Sequence, residues 1–174
     1  MTITTARKSS AGSGIARVEV TLLDAATHPE VMAFIDHWRS CARDSLPSRA
    51  DFEPRRIARW LPYFVVMELK GGQVHYRLVG SRLEARAETS AQGRFVSEIF
   101  SPDSAEVSLA LFGKTIEGAA PLVLRLRFKG LPVEFLDFEA VQAPILAPDG
   151  QDKWVVGCLY PIDELNTSPG LPLR

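Results

Sequence analysis

The chain has 174 residues, 46% hydrophobic and 24% charged, which suits one globular domain with a buried core. Its 20 Lys and Arg against 21 Asp and Glu leave a formal net charge of -1, so nothing draws it towards nucleic acid or an anionic membrane. Cys41 and Cys158 are too few for a disulfide framework and lack metal-ligand spacing, and no apolar run is long enough to span a bilayer. With no hydrophobic signal-peptide centre in residues 1–14, the expected location is the cytoplasm.

Residues 1–14 are rich in Ser, Thr, Ala and Gly and read as disordered. The expected division is an N-terminal extension at 1–26, a domain with its N-terminal helix at 27–163, and a tail at 164–174. Inside the extension, Val18, Val20 and Leu22 alternate with Arg17, Glu19 and Thr21, as a short strand or an extended arm would. Thr27 and Glu30 read as a capping box, with Pro29 in the first turn. From Glu30 to Arg43, the residues Val31, Phe34, Ile35, Trp38, Cys41 and Ala42 share one helical face. Such a stripe needs a sheet or a partner chain to lie on.

Leu46-Pro47 ends this helix. Asp51 is placed to cap a short one in which Ile57, Trp60 and Leu61 share a face, and Pro62 stops it. Tyr63–Leu69 is an apolar run broken only by Glu68; Gly71-Gly72 turns the chain, and Val74–Gly80 returns as a second strand. Both strands are largely apolar on two faces, as in a sheet covered on both sides. The second reads as one edge of the sheet and a wall of its pocket. Ser81-Arg-Leu-Glu84 is a capping signature opening a helix over Ser81–Glu88. After a polar loop at Thr89–Gly93, Ser101-Pro102 opens a longer helix with Ala105, Leu109, Phe112 and Ile116 on one stripe, ended by Gly118. Leu122–Lys129 alternates cleanly, and its cations Arg125, Arg127 and Lys129 read as protection for an edge strand. Val133–Ala143 follows, with a phase shift near Phe135-Leu136 that a bulge would produce. Ala147-Pro-Asp-Gly150 is a turn, and Trp154–Tyr160 the last strand. The predicted class is α+β with one mainly antiparallel sheet.

Tyr76-Arg-Leu-Val-Gly80 leads into a helix, and Gly93-Arg94 precedes Phe95. Around them lie the Leu46-Pro47 and Leu61-Pro62 steps, and Phe138-Glu139 followed by Pro144-Ile-Leu and Asp149-Gly150. In this order, from His28 to Ile162, the motifs resemble a PAS domain, and within it a bacterial subfamily of short single-domain proteins. The resemblance implies a PAS-like five-stranded antiparallel sheet, short helices forming a cavity over one face, and a sensing or interaction role. PAS domains host haem, flavin, small carboxylates or nothing, so the fold leaves the ligand open.

His75 carries an imidazole, a haem ligand type. Haem-binding PAS domains usually take theirs from the long helix, where this chain has no His, and His75 reads as a structural or surface residue. Photochemical relatives need a reactive Cys near the Gly-Arg step. None lies near Gly93-Arg94-Phe95, and both cysteines read as small core hydrophobes. No cofactor is assigned. No nucleophile triad, phosphate loop or zinc spacing stands out. Asp137 and Glu139, two apart on a strand, read as solvated acids rather than as an acid–base pair, and no enzyme is expected.

Arg77 and Arg94 flank the short helices and offer two-pronged hydrogen bonds to a carboxylate, with an ion pair to Glu68 or Glu84 as the alternative. Tyr76, His75, Phe95 and Phe112 complete the expected ligand site. The functional expectation is a sensory or signalling module, binding a small organic ligand or relaying a signal to a protein partner, and forming a homodimer through its N-terminal helix. The alternative is a ligand-free interaction or scaffold domain whose cavity is filled by side chains.

Overall fold

The computed structural model describes residues 2–3, 16–132 and 136–162. In chain order the elements are β1 (Thr2–Ile3), β2 (Arg17–Leu23), α1 (Pro29–Cys41), β3 (Phe64–Lys70), β4 (Gln73–Val79) and α2 (Ser81–Ala87). They continue with α3 (Pro102–Gly118), β5 (Leu122–Lys129), β6 (Leu136–Leu146) and β7 (Lys153–Pro161), and 3₁₀ turns lie at Arg49–Phe52, Leu61–Tyr63 and Val96–Glu98. Among the described residues, seven strands form one sheet in the order β1-β2-β5-β6-β7-β3-β4, with every neighbouring pair antiparallel. The expected α+β class and antiparallel sheet are present.

The β3–β4 hairpin has a local cause. Gly71 and Gly72 adopt φ of 58° and 77°, the doubly left-handed turn whose twist matches antiparallel strands. β4 is a sheet edge, as expected. Gly80, which closes it, packs so tightly that a Cβ would strike the carbonyl oxygens of Leu61 and Pro62. β6 runs on through Pro144 to Leu146, past the end expected at Ala143. β5 pairs with β6 only as far as Gln142, and from there β6 has β7 alone as a strand neighbour. Proline is tolerated where no ladder bond is asked of its nitrogen.

The five expected strands are β3 to β7, but the sheet continues past β5. Seven residue pairs join β2 to β5, from Arg17 opposite Lys129 to Leu23 opposite Val123. The arm is therefore a strand, and β5 is not an edge. Its cations find partners on both sides. Arg127 forms a two-pronged pair with Asp137, at 2.7 and 2.8 Å, and Lys129 pairs with Glu19 across the β2–β5 ladder. Apart from Thr2–Ile3, the segment expected to be disordered lies outside the described residues. So do residues 163–174 and the phase shift expected at Phe135.

The sheet is covered on both faces. On the outer face, α1 sets Val31, Phe34, Ile35 and Trp38 against Phe64, Val66, Val141, Ala143, Ile145 and Val156. The Trp38 indole donates to the Pro144 carbonyl at 2.8 Å, so the ring is buried with its polar edge satisfied. The apolar stripe that motivated a dimer is thus buried within one chain. On the inner face, α3 brings Leu111 and Phe112 onto Leu124, Leu126, Ala140 and Val155. No helix of the described residues is long and apolar enough to cross a membrane.

Two helix starts differ from the expected capping boxes. His28, not Thr27, caps α1; its Nδ1 accepts the Glu30 amide at 3.1 Å. Thr27 is drawn instead to Glu139 of β6, which is 4% exposed and far from the solvated acid expected. At α2 the cap is Gly80 with no side-chain bond. The Glu84 carboxylate turns away to bind the amides of Ala91 and Gln92 at 2.8 and 2.9 Å. Asp51 is the third residue of its 3₁₀ turn, and it binds back to the amide and hydroxyl of Ser48 at 2.8 and 3.0 Å.

Candidate functional site

The inner face does not fill completely. Between the sheet and α2 lies a cavity of about 80 Å³. Val65, Tyr76, Leu136, Phe138 and Leu159 reach it from the strands, and Leu83, Ala87, Ala91, Ile99 and Phe100 from the helix and loop side. The lining follows from strand periodicity, since alternate residues of β3, β4, β6 and β7 point to one face. Glu84 also borders the cavity and pins the 89–92 loop that roofs it. Its bonds from the Gln92 amide, then those from Ala91 and Ser90, outweigh desolvation and hold the carboxyl below its ordinary range.

A second chamber of about 50 Å³ lies towards α3 and β2. Val65, Tyr76, Phe100, Phe128 and Leu159 line both chambers, so the two abut. Val18 and Val20 of β2 help close the second one, beside Ser108 of α3 and Gln142 of β6. The Gln142 side-chain oxygen is buried without a hydrogen-bond partner, an uncommon condition in a native fold. Tyr76 is the phenol at the junction, and burial pushes its pKa up to about 12. It is therefore neutral at any physiological pH. Among the described residues, no Lys, Arg or His lines either chamber.

The residues singled out in the sequence separate into three groups. Tyr76 lines both chambers. Phe112 is buried beneath α3 but lines neither, and Phe95 packs edge-on against His75 with ring centres 5.0 Å apart. His75 and Arg77 share Glu68, at 3.0 and 2.9 Å respectively. The Arg77 guanidinium also lies 4.3 Å from the centre of the Trp154 ring. Cross-strand pairing thus holds Arg77 away from the cavity, in the ion pair with Glu68 that was the alternative to a ligand contact. Arg94 binds the carbonyls of Ser90 and Glu98 at 3.1 and 2.9 Å and clamps the loop rather than lining the chambers.

Gln142, Ser108 and Thr89 were not singled out in the sequence. One signal existed for Gln142, the single polar side chain within Ala140–Leu146. Asp137 and Glu139 share no chemistry, because one is tied to Arg127 and the other to the start of α1. Among the described residues, no group of three or more His, Cys, Asp or Glu could hold a metal.

The sequence model of the PAS domain family matches residues 26–160. No curated protein matches the chain.

Proposed function

The chain belongs to the PAS domain family, and from that premise we propose that it is a sensory module which binds a small organic molecule in the cavity over its inner sheet face. The observation that carries this reading is the cavity itself, apolar on nearly every side, with the Tyr76 phenol within it. A concave apolar site with a few placed polar groups is the usual form of a small-molecule pocket. Binding would shift the α2 helix and the 89–92 loop, which border the cavity, and the signal would leave through protein–protein contacts. Haem and flavin need several times the present volume, so the expected occupant is a small metabolite. With Cys41 and Cys158 unpaired, a reducing compartment such as the cytoplasm suits the chain.

A second reading has its own support. A volume of about 80 Å³ is only two to three times the ~30 Å³ share of one liquid water, which favours a ligand-free interaction domain. Native mass spectrometry of the freshly purified full chain, with a thermal-shift screen of neutral and charged metabolites, separates the two. A co-purifying small molecule, or a metabolite that raises the melting temperature, supports the sensor. No adduct and no shift across the screen supports the interaction domain.

A further inference from the structure

We infer that the two abutting chambers form one binding site for a small neutral molecule of about benzene size, whose single hydrogen-bonding group is received by the side chain of Gln142. This rests on the sensory reading above and adds the class of ligand.

Size comes from the volumes. Chambers of about 80 and 50 Å³ together approach the ~150 Å³ that holds benzene in a dry apolar cavity. They share five lining residues, so a ligand spanning both displaces side chains at the junction and leaves the strands in place. Charge comes from the lining. Among the described residues Glu84 is its one charged residue, and none of their cations borders either chamber. Moving an anion from water into such a site is opposed by desolvation with nothing to offset it. Arg77, the cation best placed in the sequence, is already held by Glu68 and Trp154.

The polar end comes from Gln142. Its buried oxygen lacks a donor, and an unmet acceptor costs free energy until a donor reaches it. A hydroxyl or N–H on the ligand supplies one. Ser108 lies at the same end, with an oxygen that accepts or donates. The second chamber also has room for a water molecule, so the experiment must tell a ligand from a water.

Isothermal titration of the full chain with phenol, benzene and benzoate does so. Phenol is expected to bind three- to tenfold tighter than benzene, the worth of one hydrogen bond, and benzoate at least tenfold weaker than phenol. Gln142→Met, close in shape but without the amide, is expected to keep benzene affinity and bring phenol within twofold of it. Benzoate binding as tightly as phenol would overturn the inference, and that comparison needs no variant. A phenol preference that survives Gln142→Met, as when a water alone occupies the second chamber, would overturn it too. In either case the cavity reading stands. If none of the three probes binds, the cavity reading fails and this inference fails with it.

Discussion

The Glu139 carboxylate holds Thr27 by two bonds, 2.7 Å from the backbone amide and 2.5 Å from the side-chain hydroxyl, across 112 positions of sequence. The same carboxylate takes the amide of His28 at 2.7 Å. A negative charge thus sits at the positive end of α1 and satisfies donors that the helix leaves unpaired. This contact ties the outer helix to the middle of the sheet.

Glu139→Ala should therefore cost about 3 kcal/mol, since it strands buried donors as well as removing charge-assisted bonds. Glu139→Gln should cost about half as much. Urea unfolding checks both, and a Glu139→Gln variant as stable as the wild type would show that charge is irrelevant here.

Arg77→Ala should leave ligand affinity unchanged within twofold, because Arg77 lies on Glu68 and Trp154 and not at the cavity. The pair is partly exposed, so stability should fall by no more than ~1 kcal/mol. Calorimetry with phenol and thermal unfolding measure the two effects. A tenfold loss of affinity would return Arg77 to the site.

These two residues mark what could be read from the chain alone. Strands β3 to β7 and the PAS order were legible because period-2 alternation and turn residues act within a few positions. Tyr76 lines both chambers, but a strand apolar on both faces does not itself say which aromatic turns to a pocket. Glu139 and Glu84 differ from their expected roles because each answers to partners that the folded chain supplies, Thr27 and His28 for one and the 91–92 amides for the other. Arg77 takes the Glu68 pair that the sequence offers as its alternative. A Ser-x-x-Glu step looks the same whether its Glu turns back to the helix or out to a loop. The 17–23 pattern alone fits a strand or an arm, because the pairing partner of β2, β5, lies about a hundred residues away. Gln142 stands alone in an apolar stretch, but whether its amide finds a partner cannot be decided before the chain is folded.

Ala87 faces the first chamber from α2. Ala87→Leu should fill much of that space with apolar atoms, lower phenol and benzene affinity at least tenfold, and hold or raise the melting temperature. A stable variant that still binds at wild-type affinity would place the ligand elsewhere.

Acid should loosen the roof of the site. The Glu84 carboxyl is held low chiefly by the Gln92 amide, and the Asp137 carboxyl chiefly by its bond from Arg127. Folded values below the unfolded ones, roughly 4.3 for Glu and 3.9 for Asp, mean that each group adds stability above those values. That stability drains away as pH falls through the folded values. Melting temperature should be flat from neutral pH to about 5 and fall below about 4. Glu84→Gln should flatten part of that fall, and an unchanged acid limb would contradict the assigned role of Glu84.

The most direct test of a ligand cavity over the inner sheet face is methyl-resolved NMR of the full chain during titration with benzene. Saturable shifts are predicted at the cavity methyls of Val65, Leu83, Ile99, Leu136 and Leu159, while Val31, Ile145 and Val156 on the outer face stay still. No saturable shift up to the solubility of benzene, or equal shifts on both faces, would contradict it.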